Sequence, residues 1–405
     1  MPHYLALNKG SSSLKFCLYS EDSLNPIISG KLTNYSPEEY KFSYQIGDAY
    51  QSSIITNIDY ANGPIFILEF IKKQCLVDNP QTITIIHRIV HGGNHFFTPT
   101  ILNPENISKL EELNTIAPLH NPPAIALVKL IQKEYPEIKQ IAVFDTAFHQ
   151  TLPEINQIYA LPIQAYTKYG IKRFGFHGLS HKYVSSLYYQ LKYSNSNEIT
   201  NPQIKIKQTG KIVTLHIGSG SSLCAIENGK SYQTSMGFSP NEGLPMATRS
   251  GEVNLNALNY YREKENLEWE ELGTILNKKS GLLGISNYTG NMVNLVKDYS
   301  TNPSAKLAVD YLVERIVEKL GSFISVLNGV EAIIFTGAVG EGSHLVRQKI
   351  CDKFAYLGLF LDKNLNINSD EPNKSVKISS EISSVKVYII PTNEELQMLN
   401  EVKDS

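Results

Sequence analysis

The sequence predicts an α/β protein made of two related halves. Two observations carry this: β-branched apolar runs alternate with amphipathic stretches along most of the chain, and one Gly/Ser hairpin pattern occurs twice. The first copy is LALNKGSSSLKF, from Leu5 to Phe16, and the second is TLHIGSGSSLCAI, from Thr214 to Ile226. Matching Ser12-Ser13-Leu14 with Ser221-Ser222-Leu223 sets each turn between two β-patterned runs. Small residues admit close approach of a ligand, and successive N–H groups with hydroxyls make an anion-binding concavity. Either copy alone reads equally as an ordinary Ser/Gly turn. As a pair, they point to two halves gripping one phosphate-bearing ligand.

Five further strands follow from apolar, β-branched runs of the kind that helices cover on both faces. They are TITIIHRIV (82–90), QIAVFDT (140–146), KIVTLHI (211–217), AIIFTG (332–337) and VKVYIIP (385–391). Helices are expected at Pro123–Glu134 and from Ala305 to Leu327. The second spaces Leu307, Tyr311, Val313, Ile316, Leu320 and Ile324 as one core-facing stripe. The polar stretch 191–211 reads as a surface excursion. The boundary between the halves falls at 148–153, giving a first domain over 1–150 and a second over 151–392. A helical segment from about Thr392, 393–405, returns to the first domain.

At 405 residues the chain is too long for one core. Its 42% apolar and 19% charged residues are ordinary for a globular protein, and a net charge of −2 gives no reason to expect a nucleic-acid partner. Cys17, Cys75, Cys224 and Cys351 are scattered and form no CxxC pair, which suits buried, reduced thiols. The N-terminal residues lack the pattern of a secretory signal, and no run reaches the length of a membrane span. A cytoplasmic protein with no membrane partner is the expectation.

Walker A, G-x-G-x-x-G and H-E-x-x-H patterns are all missing, which removes P-loop kinases and argues against Rossmann dehydrogenases and zinc hydrolases. What remains is a set of short segments rich in His, Arg, Asp and Gly. HRIVHGG sets Arg88 near a strand end, where a buried guanidinium needs an anionic partner. VFDTAFH offers Asp145, FGFHGLSH brackets His177 with glycines, GFSPNEGLPMATRSG carries Arg249, and TNEE supplies Glu394 and Glu395 after a strand. Each segment also has a plain structural reading as an ion pair, a cap or a core histidine. Together they hold the cations, carboxylates and imidazole that phosphoryl transfer uses for positioning and charge stabilisation.

The blocks NKGSSSLKF, HRIVHGG, APLHNPP, FDTAFHQTLP, RFGFHGLSHKYV, GFSPNEGLPMATRSG, NKKSGLLGIS and PTNEEL, in this order, resemble the acetate kinase family over essentially the whole chain. That family lies in the sugar kinase, Hsp70 and actin superfamily. The resemblance implies two duplicated ribonuclease-H-like (actin-like ATPase) domains with an interdomain active-site cleft, in a homodimer. It implies reversible, Mg²⁺-dependent transfer of the γ-phosphoryl group of ATP to acetate, giving acetyl phosphate and ADP by direct in-line attack.

Carried over by position, the resemblance implies that Asn8 and Glu394 hold Mg²⁺, while Lys15, Ser11 and Ser13 reach the nucleotide phosphates. Arg88 binds the acetate carboxylate, and Val90, Leu119, Phe176 and Pro240 enclose the methyl group. Arg249 and His177 stabilise charge on the transferred group, and Asp145 orients these groups or assists in handling protons. The nucleotide falls to His216, Ile217, Gly218, Ser219 and Gly220, to Asn291, Met292 and Val293, and to Ala338, Val339, Gly340, Glu341 and Gly342.

The departures from the family pattern gather on that nucleotide side. Ser219 and Gly342 each stand where the family has Asn, Asn291-Met292-Val293 replaces Asp-Phe-Arg, and Lys9 replaces a small residue. Two other readings follow. One is a short-chain acyl kinase for acetate or propionate with a different donor, such as pyrophosphate or another nucleotide. The other is a non-catalytic, ligand-binding descendant.

Overall fold

A computed structural model describes residues 3–10, 13–36, 39–56, 62–74, 76–77, 82–193, 208–369 and 374–405. They form two compact units, Met1–Ala147 with Asn393–Ser405, and Phe148–Thr392.

The first unit is built on eight strands: β1 (His3–Lys9), β2 (Ser13–Ser20), β3 (Pro26–Ser36), β4 (Glu39–Ile46), β5 (Ala49–Thr56), β6 (Ile83–Ile89), β7 (Thr100–Ile101) and β8 (Lys139–Phe144). Their spatial order is β5-β4-β3-β2-β1-β6-β8-β7. The hairpin strands β1 and β2 run antiparallel, whereas β6 and β8 join β1 in parallel. Leu5, Leu7, Leu14, Phe16 and Leu18 form one core with Ile67, Leu68 and Ile71 of the helix Gly63–Lys73 and Leu127 and Ile131 of the helix Asn121–Glu134. The C-terminal helix Glu394–Asp404 packs on β1, β2, β6 and β8.

The second unit repeats the plan. Its strands are β9 (Lys211–Ile217), β10 (Ser221–Glu227), β11 (Lys230–Thr234), β12 (Ala332–Thr336), β13 (Val376–Lys377) and β14 (Lys386–Ile389), ordered β11-β10-β9-β12-β14-β13. The run β11-β10-β9-β12-β14 repeats β3-β2-β1-β6-β8 in order and in sense, and each sheet adds a short antiparallel edge strand. This is the duplicated ribonuclease-H-like architecture. The two turns differ by a residue: Lys9 pairs with Leu14 in the first, Ile217 with Ser221 in the second. One sequence offset therefore cannot match both strands of both hairpins.

The long helix runs from Pro303 to Val326, with Asn302 accepting from the backbone N–H groups of Ser304 and Ala305 and Pro303 in its first turn. Its buried stripe differs from the expected one. Leu307 and Tyr311 are exposed, and the core side is Ala305, Ala308, Val309, Leu312, Val313, Ile316, Leu320, Phe323 and Ile324. Ala305 and Ala308 are fully buried in that core, which a count of large apolar residues misses. Cys17, Cys224 and Cys351 are free and buried, with burial pushing the thiols of Cys17 and Cys224 up to about 12. Cys75 and most of the 191–211 stretch lie outside the described residues. No described helix is long and apolar enough to cross a membrane.

Ile316→Ala and Leu320→Ala should each lower stability by about 2–5 kcal/mol in urea unfolding. Leu307→Ala, on the exposed side, should stay within about 0.5 kcal/mol. Equal losses at all three positions would reject this assignment of the core stripe.

Candidate active site

Strand alternation decides which side chains gather in the first unit. Leu5 and Leu7 face the core helices, so Asn8 faces the other side, where the C-terminal helix lies. Arg88 on β6 and Asp145, just past β8, share that side. Arg88 Nε donates to Asp145 Oδ1 at 2.9 Å and Nη2 to Oδ2 at 2.5 Å, a two-pronged pair. Its Nη1 donates to Asn8 Oδ1 at 3.0 Å and lies 3.4 Å from Glu394 Oε2. Asn8 Nδ2 in turn donates to Glu394 Oε2 and Glu395 Oε1, each at 2.8 Å.

Burial works against the charge on Arg88, but the carboxylates of Asp145, Glu394 and Glu395 override it and hold the guanidinium protonated more firmly than usual. The orientation of Asn8 follows from its neighbours. Reversing the amide would aim its amino group at the guanidinium and its oxygen at two carboxylates. Asn8 and Glu394 are thus brought together as expected, but Asn8 spends its oxygen on Arg88.

Three carboxylates against one guanidinium leave a surplus of negative charge on hard oxygen donors, which fits a divalent cation. Among the described residues, no group of three or more His, Cys, Asp or Glu side chains is gathered to hold a metal ion. Such a cation would take one or two carboxylates, the usual mode for Mg²⁺, which keeps waters and binds substrate phosphates. Glu395, noticed in the sequence but given no role there, belongs to this cluster.

Nearby, Lys15 is exposed on β2 opposite Asn8, and Ser13 closes the turn by accepting from Gly10 N–H at 2.7 Å. Lys9 is half-buried, with its amine lowered to about 8 by desolvation and donating to the Gly10 carbonyl at 2.9 Å. Ser11 lies outside the described residues. Val90 is partly buried and Leu119 exposed.

In the second unit, His177 precedes the helix Gly178–Tyr193 with φ of 57°, an uncommon backbone setting for a residue with a side chain. Its ring stacks on His216 at 4.4 Å, and its Nδ1 lies 2.8 Å from Ser222 Oγ. The Ser180 hydroxyl holds His216 Nδ1 at 2.8 Å. Arg249 is partly buried, its Nη1 donating to the Pro240 carbonyl at 3.2 Å. The loop carrying it is tied to the hairpin by Ala247 N–H donating to Ser219 O at 3.1 Å, and Glu242 in the same loop pairs with Arg173 at 2.8 Å. Phe176 is fully buried and Pro240 half-buried.

The segments matched to the nucleotide by resemblance vary in exposure. Ile217 is buried, His216, Gly218 and Gly220 are partly so, and Ser219 is exposed. Asn291 accepts from Val293 N–H as a helix cap, Met292 is buried, and Val293 is exposed. In the short helix Gly337–Gly342 after β12, where Ala338 and Gly342 are exposed and Val339 half-buried, Glu341 accepts from Gly337 N–H at 2.8 Å. Gly340 and Glu341 give their carbonyls to the fully buried Arg347 at 2.9 and 2.5 Å. Sequence reasoning passed over Arg347, His181 and Ser222. A usable signal existed for two of them: His177 and His181 stand four apart at a helix start, and Ser222 falls opposite His216 in a hairpin.

The acetokinase family model matches residues 3–400. An acetate kinase of Phytoplasma mali (strain AT) is 38% identical over 400 residues, covering 98% of each chain. The crystal structure of Porphyromonas gingivalis acetate kinase has a TM-score of 0.85 at 33% identity, covering 100% of this chain and 99% of that one. That of a propionate kinase from Francisella tularensis subsp. tularensis SCHU S4 has a TM-score of 0.87 at 32% identity, covering 99% of each.

Burial lowers His87 and His149 to about 4 and holds His181 well below the ordinary range, with His149 and His216 adding to the last effect. An unfolded histidine takes its proton near about 6.5. Between about 6.5 and about 4 the unfolded chain therefore binds more protons, and stability falls as pH drops through that window. Urea midpoints should decline across it, less steeply in His87→Gln. A midpoint that does not move with pH there would contradict the burial of these rings as neutral groups.

Proposed function

The chain belongs to the acetokinase family, and we propose that it is an acetate kinase, transferring the γ-phosphoryl group of ATP to acetate reversibly. The observation that carries this reading is the cluster of Arg88, Asn8, Asp145, Glu394 and Glu395 at the carboxyl ends of parallel strands. Open α/β sheets present their ligands to such ends.

Three of the five N–H groups of Arg88 go to Asp145 and Asn8, which leaves donor capacity on the guanidinium for the acetate carboxylate. Asp145 acts by holding that guanidinium flat and in place. A proton role is unnecessary, since acetate is already ionised near neutral pH. One carboxylate oxygen attacks the γ-phosphorus, the bond from phosphorus to the β-phosphate oxygen breaks, and ADP leaves with its electron pair. Glu394, next to Glu395, would hold Mg²⁺, and Asn8 would brace the pair. A Mg²⁺ ion held there would supply charge neutralisation to the donor phosphates. Arg249 and His177 answer the charge on the transferred group, and Lys15 the phosphates of the donor. Val90, Leu119, Phe176 and Pro240 are all apolar, which suits a short acid. One added methylene changes affinity by only about 1–3 kcal/mol, so propionate should be a poorer substrate and still accepted.

A second reading keeps the acyl transfer and changes the donor. What favours it is the segment 291–293, where the described side chains are a capping amide, a buried Met and an exposed Val, with no cation among them.

A hydroxamate assay for acetyl phosphate should give activity with ATP and little with GTP or pyrophosphate. Preference for pyrophosphate would move the assignment to the second reading. No product with any donor would sink both. Arg88→Ala should raise the acetate KM and lower kcat, and unchanged kinetics would remove Arg88 from the site. Arg249→Ala should lower kcat with ATP binding little affected.

A further inference from the structure

The proposed function uses one histidine of four that crowd the same face of the second sheet. His177, His181, His216 and His149 form a run of ring contacts, with centroids 4.4 to 6.5 Å apart. Hydroxyls connect them. Ser222 Oγ lies 2.8 Å from His177 Nδ1 and 2.8 Å from His181 Nε2, and Thr214 Oγ1 lies 2.7 Å from His181 Nδ1. Thr214 Oγ1 donates to the Cys224 carbonyl at 3.4 Å.

Counting protons along this chain gives it a direction. A hydroxyl has one proton to donate, so Ser222 can donate to only one of its two imidazoles and must accept from the other. The far end of the chain is a carbonyl, which only accepts. With its proton on that carbonyl, Thr214 must accept from Nδ1–H of His181. His181 is fully buried and neutral, so its Nε2 is bare and accepts from the Ser222 hydroxyl. Ser222 is then left to accept, and the group it accepts from is Nδ1–H of His177.

We propose that Thr214, His181 and Ser222 are positioning residues that fix a proton on Nδ1 of His177. The ring is oriented for this by its stacking on His216 and by the left-handed backbone at His177. Gly220 gives the ring tip room, because a side chain there would bring Cβ within 3.3 Å of His177 Cε1 and Nε2. With Nδ1–H committed to Ser222, any further hydrogen bond that His177 donates comes from Nε2–H of the imidazolium. The effect on turnover rests on the function proposed above. The placement of the proton does not.

The test is a long-range proton–nitrogen correlation spectrum of the full chain labelled with ¹⁵N-histidine. His177 should show a protonated Nδ1, and a bare Nδ1 with a protonated Nε2 would overturn the relay without recourse to any variant. In Ser222→Ala, His177 should shift toward the Nε2–H form, and kcat should fall roughly 10–100-fold with the acetate KM held within about twofold. Thr214→Val should move both readouts the same way and Thr214→Ser should restore them. Retention of the Nδ1 proton in Ser222→Ala would reject the relay. If the spectrum is as expected and the wild-type chain forms no acetyl phosphate, the relay stands and the acetate kinase reading fails.

Discussion

The first unit depends on keeping one guanidinium charged where water scarcely reaches it. A buried cation is costly unless its attraction to partners and its hydrogen bonds offset the loss of hydration. Arg88 finds its partners on β1, at the end of β8 and on the C-terminal helix, so a local requirement becomes a constraint on three segments far apart in the chain. Asn8 is the joint of this arrangement. Its amide is the one group in the cluster able to face a cation with one end and two carboxylates with the other.

The second unit gathers hydroxyls and imidazoles on the matching face of its sheet. In both sheets one face packs on an apolar core, and the other carries polar side chains among its apolar ones. On β1 the polar face carries Asn8, and on β9 it carries Thr214 and His216. Charge is concentrated on the first of these faces, whereas the second is a lattice of hydroxyls and imidazoles. Duplication preserved the strand order and left the chemistry of the two faces free to diverge.

Much of the fold was legible because strand and helix signals are local. The apolar runs ending near Arg88, Asp145 and His216 are strands, and the repeated hairpin marks the repeated sheet. Legibility weakened where a pattern admits two answers. A ladder through Leu307 and Tyr311 looks as helical as one through Ala308 and Leu312, and the fully buried alanines give the weakest signal. The candidate site was legible as residue types but not as pairings. Nothing local joins Asn8 to Glu394, 386 positions away. The hydroxyl chain through Ser222 needed the register of β9 and β10 together with the helix beside them. Asn291, matched to the nucleotide by position, also caps a helix, a role that any exposed Asn before a helix can fill.

The C-terminal helix has a consequence for how the molecule is made. A ribosome releases a chain from its first residue onward, and domains generally fold as units while they emerge. Here the second unit lies wholly between the two parts of the first. The strands carrying Asn8, Arg88 and Asp145 are exposed to folding long before Glu394 and Glu395 exist to answer their polar face. During that interval the guanidinium has Asp145 and the amide has no carboxylates, and a nascent chain holds an unfinished half-site. Any phosphate chemistry this cluster supports therefore waits for the segment that carries Glu394 and Glu395, and a product truncated before that segment would lack both carboxylates.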